Sequence, residues 1–355
     1  MSAATACLPA MAPLTLSSSV SSHHRSSADE LAAELTKAAN EAIAVQAERH
    51  HDDVMSKPRE VVRTFKCQRK QVGEGLAVWR SIGRVELPDL DPFLSFDEIE
   101  ISPPAGFLDH PHRGFETVTY MLEGGVSYHD FSGHKGTISA GDVQWMTAGR
   151  GVVHAEMPGG EGVQRGISIW INLASKDKMV EPRYQETASA DIPVADKDGV
   201  SVKVLAGDCL GTRSALRPRT PAMCLDVTLQ PGARLRQPVP RGWSACAYVI
   251  AGEAVFDDFE GGAAKTATGS RALAVFGADG DCVDVLAEEG GPGARVLVVA
   301  ARPHCEAVVR DGPFVMNTRE EVEQAREDYR HRRNGFEMAD GWASDHANTA
   351  ADFAH

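Results

Sequence analysis

The sequence predicts an all-β protein made of two copies of one β-unit, followed by a short C-terminal helix. Three observations carry this. From Pro58 onward, short apolar runs recur between turn signals such as Glu123-Gly124-Gly125, Ser139-Ala140-Gly141-Asp142 and Ala148-Gly149-Arg150-Gly151. Thirty-three Gly and 19 Pro among 355 residues, with only 6% aromatics, fit many turns joining short strands in a sandwich or barrel. The stretch from His110 to Gly124 can also be laid on that from Pro238 to Gly252, with Arg-Gly-aromatic, Tyr and the closing Gly coinciding without a gap. Two units of about 120–150 residues then account for the length.

Residues 1–27 hold eight Ser, no Asp or Glu and, apart from histidines, one basic residue, Arg25. Such a start fits either an organelle transit peptide or a disordered tail. Ser27 and Glu30 form a capping box, and Leu31, Leu35, Ala38, Ala42 and Val45 then mark one helical face up to about His50. Residues 1–57 therefore read as an extension, 58–190 as the first β-unit, 191–345 as the second with its helix, and 346–355 as a tail. Downstream, Gly141-Asp142 is echoed by Gly280-Asp281. The terminal helix is announced by Thr318 and Glu321 as a second capping box. Val322, Ala325 and Tyr329 supply its stripe, and Asn334-Gly335 the stop.

The charge balance narrows the function classes. A net charge of −14 and a pI near 5.4 oppose direct nucleic-acid binding, which relies on cations displacing counterions from phosphates. The longest apolar runs fall far short of the about 20 residues of a membrane span. Seven scattered cysteines without CxxC fit a reducing compartment and buried small side chains.

The sharpest chemical feature is His110-Pro111-His112. Residues two apart on a strand share a face, so both imidazoles point the same way, and Pro111 restricts this strand to an edge, a start or a bulge. His154-Ala155-Glu156 repeats the spacing. Two such strands facing one interior make a His3Glu set that suits a divalent ion such as Fe(II), with about two positions left for water, substrate or O2. Glu116 is the competing carboxylate. By parity it shares the face of His110 and His112 if the strand runs straight, so spacing leaves both open while favouring Glu156. In the second copy, Pro238 and Pro240 stand where the histidines would be, so the site belongs to the first copy.

Other residues take plainer roles. His129 and His134 fall in a turn-like segment near the surface or behind the site, His304-Cys305 reads as structural, and Trp145 and Met146 line or pack the β-unit. P-loop, GxGxxG, GxSxG and HExxH motifs are absent, which argues against nucleotide-binding, α/β-hydrolase and zincin readings.

With these residues in view, the chain resembles the pirin family. The resemblance is carried by Ser81-Ile-Gly-Arg-Val-Glu-Leu87, Leu90-Asp-Pro-Phe-Leu94, residues 109–120, residues 144–158, Lys178-Met-Val-Glu-Pro-Arg-Tyr184 and Gly312-Pro-Phe-Val-Met-Asn-Thr318. It spans about residues 58–345. It implies a bicupin of two facing antiparallel β-barrels (double-stranded β-helix or jelly roll) with the C-terminal helix packed back on the body. It further implies one Fe(2+) in the N-terminal cupin, held by His110, His112, His154 and Glu156, with Glu116 behind the ligands.

The resemblance implies quercetin 2,3-dioxygenase-type cleavage of a flavonol by O2 with release of CO, Glu156 serving as a base. The alternative is an iron-binding, redox-sensitive transcriptional coregulator or signalling partner acting through transcription factors or signalling proteins. A metal-stabilised fold without turnover is a third. Cytoplasm and nucleus follow from the family; a plastid or mitochondrion follows if residues 1–27 are a transit peptide.

Overall fold

The computed structural model describes residues 57–256 and 266–345. The helix expected over residues 27–50 and the rest of the extension lie outside them. The described chain opens with β1 (Val61–Lys66). The N-terminal half continues with β2 (Arg69–Gly73), β3 (Leu76–Ile82), β4 (Phe93–Ile101), β5 (Phe107–His112), β6 (Phe115–Glu123), β7 (Gly125–Asp130), β8 (Lys135–Ser139), β9 (Val143–Thr147), β10 (Val152–Pro158), β11 (Gln164–Asn172) and β12 (Arg183–Thr187).

The C-terminal half holds β13 (Val194–Lys197), β14 (Val200–Ala206), β15 (Asp208–Cys209), β16 (Thr212–Arg213), β17 (Ala222–Leu229), β18 (Arg234–Pro238), β19 (Ser244–Phe256), β20 (Thr266–Gly269), β21 (Ala272–Phe276), β22 (Cys282–Leu286) and β23 (Ala294–Ala301). A terminal arm carries β24 (Val309–Asp311), β25 (Phe314–Met316) and α1 (Arg319–Arg330).

The closed barrels implied by the resemblance are open sheets here. The N-terminal half has a seven-stranded sheet, β12-β9-β6-β11-β4-β3-β2, and a four-stranded sheet, β5-β10-β7-β8. The latter stops at β5, where Pro111 has no N–H to extend the ladder. A ten-stranded sheet runs along β1-β21-β19-β23-β17-β14-β13, with β18, β20 and β22 attached.

The chain ends cross between the halves. β1, expected with the first unit, pairs with β21 of the second. The terminal arm runs the other way: Arg113 bridges Phe314, and Phe115 and Leu94 pack on Val315. Helix α1 starts where its capping box predicts, with Thr318 accepting from the Glu321 N–H and the Glu321 side chain accepting in return. It ends at Arg330, ahead of Asn334-Gly335, because the buried Asp328 carboxylate gathers Arg113, Gln324, Arg333 and Asn334 and turns the chain there.

One face of the seven-stranded sheet meets the second half in a shared core. Phe96, Val118, Tyr120, Trp145, Ile167 and Ile169 pack with Tyr248, Leu273, Val275 and Leu297. Fully burying each large side chain contributes about 1.5–3 kcal/mol. Within this core the repeat closes on itself. Tyr120 O–H donates to Asp226 at 2.5 Å, and Tyr248 O–H donates to Glu98 at 2.8 Å. Tyr120 with Tyr248, and Glu98 with Asp226, stand at the offset that aligns the two copies. Arg295 grips Asp226 at 2.7 Å and Arg271 grips Glu98 at 3.2 Å, so both buried carboxylates are ion-paired as well.

The downstream echo was misaligned. β20 and β21 pair with β19 as β8 and β9 pair with β7 and β6, so Gly280-Asp281, between β21 and β22, matches the turn at residues 148–151 rather than Gly141-Asp142. Pro238 and Pro240 are exposed rather than facing inward. The inward side chains of that segment and of β22 include Leu235, Val239, Val283 and Val285, packed with Val202, Val227, Phe256 and Val296. The second half is filled with hydrocarbon where the first half could open a cavity.

Asp226→Asn keeps the volume but strips Tyr120 and Arg295 of their buried anion. The expected cost is about 2–3 kcal/mol, discounted for the partial exposure of Arg295. It reads as a lower urea midpoint at unchanged slope; an unchanged midpoint would show that this contact carries no net stability.

Candidate metal centre

The β5–β10 pairing sets His110 opposite His154 and His112 opposite Val152. Because β5 lies at the sheet edge, as Pro111 requires, the two histidines share its inner face. His110 Nε2 stands 3.0 Å from His112 Nε2 and 3.1 Å from His154 Nε2. Their ligand nitrogens lie within 4.8 Å of one another, and the ring centroids are 4.5–4.9 Å apart. The ring edges of His112 rest on Phe115 and Trp170, which limits its rotation.

The protonation of this cluster fits a cation. His110 Nδ1–H donates to the Leu108 carbonyl at 2.7 Å, leaving a lone pair on its Nε2. Nδ1 of His112 and of His154 is buried without a hydrogen-bond partner. One lone pair on His110 cannot properly satisfy two neighbouring imidazoles, whereas one shared ion would accept all three Nε2 atoms. Two nitrogens each about 2.1 Å from an ion and at right angles lie about 3 Å apart, which is the spacing of His110 to each of the other two. Burial lowers the pKa of His110 and pushes those of His112 and His154 well below the ordinary imidazole value, so the rings are neutral and ready to ligate.

Glu156 lines the same cavity but stands outside the group of mutually close ligand atoms. The ladder slips between His154 and Glu156, so Glu156 pairs with Phe107 and its side chain is re-aimed. Burial pushes its carboxyl up to about 7.

Glu116 is not behind the ligands. Gly114, at φ +87°, breaks the strand after His112, so the alternation restarts with the opposite parity. Thr117, Thr119 and Met121 line the cavity, while Glu116 faces away and accepts from Thr147 Oγ1 at 2.8 Å, Thr220 N at 3.0 Å and Arg219 N at 3.1 Å. A Cβ on Gly114 would lie 1.9 Å from the Val315 carbonyl, which is how closely the terminal arm approaches this turn. Buried Arg113 donates to Asp328, Arg150 O and Asn334 O and stacks on Phe336. Buried Lys178 spends its three N–H groups on Gly114 O, Asn172 Oδ1 and Val315 O. The turn after the paired histidines is thus clamped from two sides.

The cavity holds about 420 Å³. Its wall includes groups that sequence reasoning missed: Arg80, Asp97, Trp170 and Arg310. None sits in a recognisable motif, and Arg310 arrives from the terminal arm, so only the folded chain assembles them. His129 contacts Trp342 and the Asp345 N–H, exposed His134 packs on Tyr184, and His304 Nε2 donates to Asn172 O beside Thr220 Oγ1; these three stand apart from the cluster. Trp145 is buried in the inter-half core and Met146 packs on the opposite face with Val152 and Tyr184.

A cupin-type fold with one histidine-lined cavity is the class of protein that these features define. Residues 75–171 match Pirin, and residues 224–335 match the pirin C-terminal cupin domain. A pirin-like protein of Solanum lycopersicum is 52% identical over 82% of this chain and 98% of its own length, and the pirin of Homo sapiens is 47% identical over 82% and 99%. The chain belongs to the pirin family. Among solved structures, a quercetin 2,3-dioxygenase from Acinetobacter baumannii is 31% identical, covers 78% of this chain and 98% of its own, and superposes with a TM-score of 0.69. A bacterial pirin from Escherichia coli, determined in complex with nickel(II), is 20% identical over 69% of this chain and 97% of its own, at a TM-score of 0.54, and shares the fold.

His112→Ala is expected to reduce bound metal from about one per chain to near zero by elemental mass spectrometry. Glu116→Gln is expected to keep the metal while costing about 2 kcal/mol of stability, because its three donors lose their carboxylate. Metal loss in Glu116→Gln with retention in His112→Ala would reverse the assignment.

Proposed function

We propose that this protein is an Fe(II)-dependent dioxygenase of the quercetin 2,3-dioxygenase type, cleaving a flavonol with O2 and releasing CO. The observation that carries this is the convergence of three neutral imidazole Nε2 atoms on one cavity that also holds the carboxylate of Glu156. Similarity to the Acinetobacter baumannii quercetin 2,3-dioxygenase supports it. His110, His112 and His154 would hold the ion, with Glu156 as the fourth ligand or as the base beside it. Iron(II), when bound, supplies the redox chemistry that O2 requires.

The chain's own residues do the rest. Glu156, poised near pH 7, accepts the proton of a phenolic hydroxyl as the substrate ionises. Phe107, Val126, Ile99 and Ile101 line the cavity with hydrocarbon, which limits water around the reacting ring. Trp170 adds an indole to the wall, with the Arg310 guanidinium over its ring.

The test is O2 uptake with headspace CO, using anaerobically iron-loaded protein, quercetin and His112→Ala as control. One O2 consumed and one CO released per flavonol, absent in the variant, is the expected result. Iron-loaded protein that consumes no O2 would overturn the enzyme reading in favour of a protein-binding role. Glu156→Gln is expected to slow turnover about 10²–10⁴-fold while retaining iron if Glu156 acts as the base; loss of the iron would make it a ligand first.

A further inference from the structure

The cavity wall beside Trp170 carries a cation that forms no ion pair among the described residues. Arg310 reaches it from β24, and its Cζ lies over the Trp170 ring at 4.7 Å, while His112 touches the same indole at 5.3 Å between centroids. Cation and histidine cluster therefore border one space, close enough for a single small ring system to meet both. The only acceptor bonded to Arg310 among the described residues is the Leu94 carbonyl, at 3.3 Å. Asp97, an acid on the same wall, is already engaged. Arg80 holds it with Nε–Oδ1 at 3.0 Å and Nη2–Oδ2 at 2.8 Å, a two-pronged pair.

That arrangement leaves the Arg310 fork oriented and unspent. Stacking on Trp170 and the bond to Leu94 fix its plane, so an incoming anion need not order it. Arg310 is exposed as well as lining the cavity, so it is open to an incoming ligand. The overall charge of −14 repels anions, so an exposed guanidinium without an ion-pair partner among the described residues marks this wall out.

We propose that Arg310 is a specificity-determining residue of this cavity, selecting a planar substrate that carries an anionic oxygen, as a carboxylate or an ionised phenol. This rests on the cavity being the substrate site, and it deepens that reading by naming the substrate's charge. The guanidinium holds the anionic oxygen over Trp170 and leaves the rest of the ring system against the histidines.

The test is calorimetric binding of caffeate and of caffeamide, which share one dihydroxyphenyl frame and differ in charge. It is run on metal-free and on iron-loaded protein at low ionic strength. Wild-type protein is expected to prefer caffeate by about tenfold, the preference shrinking as salt is raised because Arg310 is open to solvent. Arg310→Gln is expected to abolish the preference with caffeamide affinity changed less than about twofold, and Arg310→Lys to keep part of it. No preference in wild type, or a preference that survives in Arg310→Gln, overturns the proposal. Because binding to metal-free protein needs no turnover, anion selection without O2 uptake would sink the dioxygenase reading and leave this one standing. O2 uptake without anion selection would do the reverse.

Discussion

The rest of the structure depends on one reciprocal contact, in which each half lends a tyrosine hydroxyl to the other's buried carboxylate. Tyr120 reaches Asp226 and Tyr248 reaches Glu98, and Phe96 packs on Tyr248 at 5.2 Å between ring centroids. A carboxylate removed from water is costly unless it is paired and hydrogen-bonded. Glu98 takes Tyr248 and Arg271 from the other half, and Asp226 adds Tyr120 to the Arg295 of its own, so the apolar core between the halves and its polar pins specify one relative placement. Two copies of one unit, each donor to the other, form an isologous interface within a single chain.

From that frame the metal-type centre follows by exclusion. The outer face of the seven-stranded sheet is committed to the shared core, leaving Thr117, Thr119, Ser168 and Trp170 on the face toward β5 and β10. The second half packs its corresponding interior with valine, leucine and Phe256, and its sequence there offers no imidazole. Stability and chemistry are thus divided between the copies. One is filled, and the other keeps a cavity whose walls are held by clamps outside it, at Arg113 and Lys178.

Crossed chain ends add a second division. β1 completes a sheet of the C-terminal half, and the terminal arm covers the N-terminal half. The arm supplies Val315 against Gly114, Asp328 to Arg113 and Arg310 to the cavity wall. Residues two hundred or so positions further along the chain therefore hold the turn after the paired histidines and set the charge of their surroundings.

The sequence by itself determined the β-texture, the repeat, the capped terminal helix and the three histidines, because each rests on short-range periodicity: two for strands, three to four for helices, and fixed spacing for ligands. His110, His112 and His154 were legible since strand alternation forces residues two apart onto one face, and a proline pair breaks that pattern in the other copy. The same alternation misled at Glu116, where a positive-φ glycine reversed which side points inward. Only the tertiary structure decided where Glu156 points, which half the chain ends join, and that Arg80, Asp97, Trp170 and Arg310 share one wall. The physical reason is that bulges, crossings and cavity walls are set by packing between segments far apart in sequence, and no local period records them.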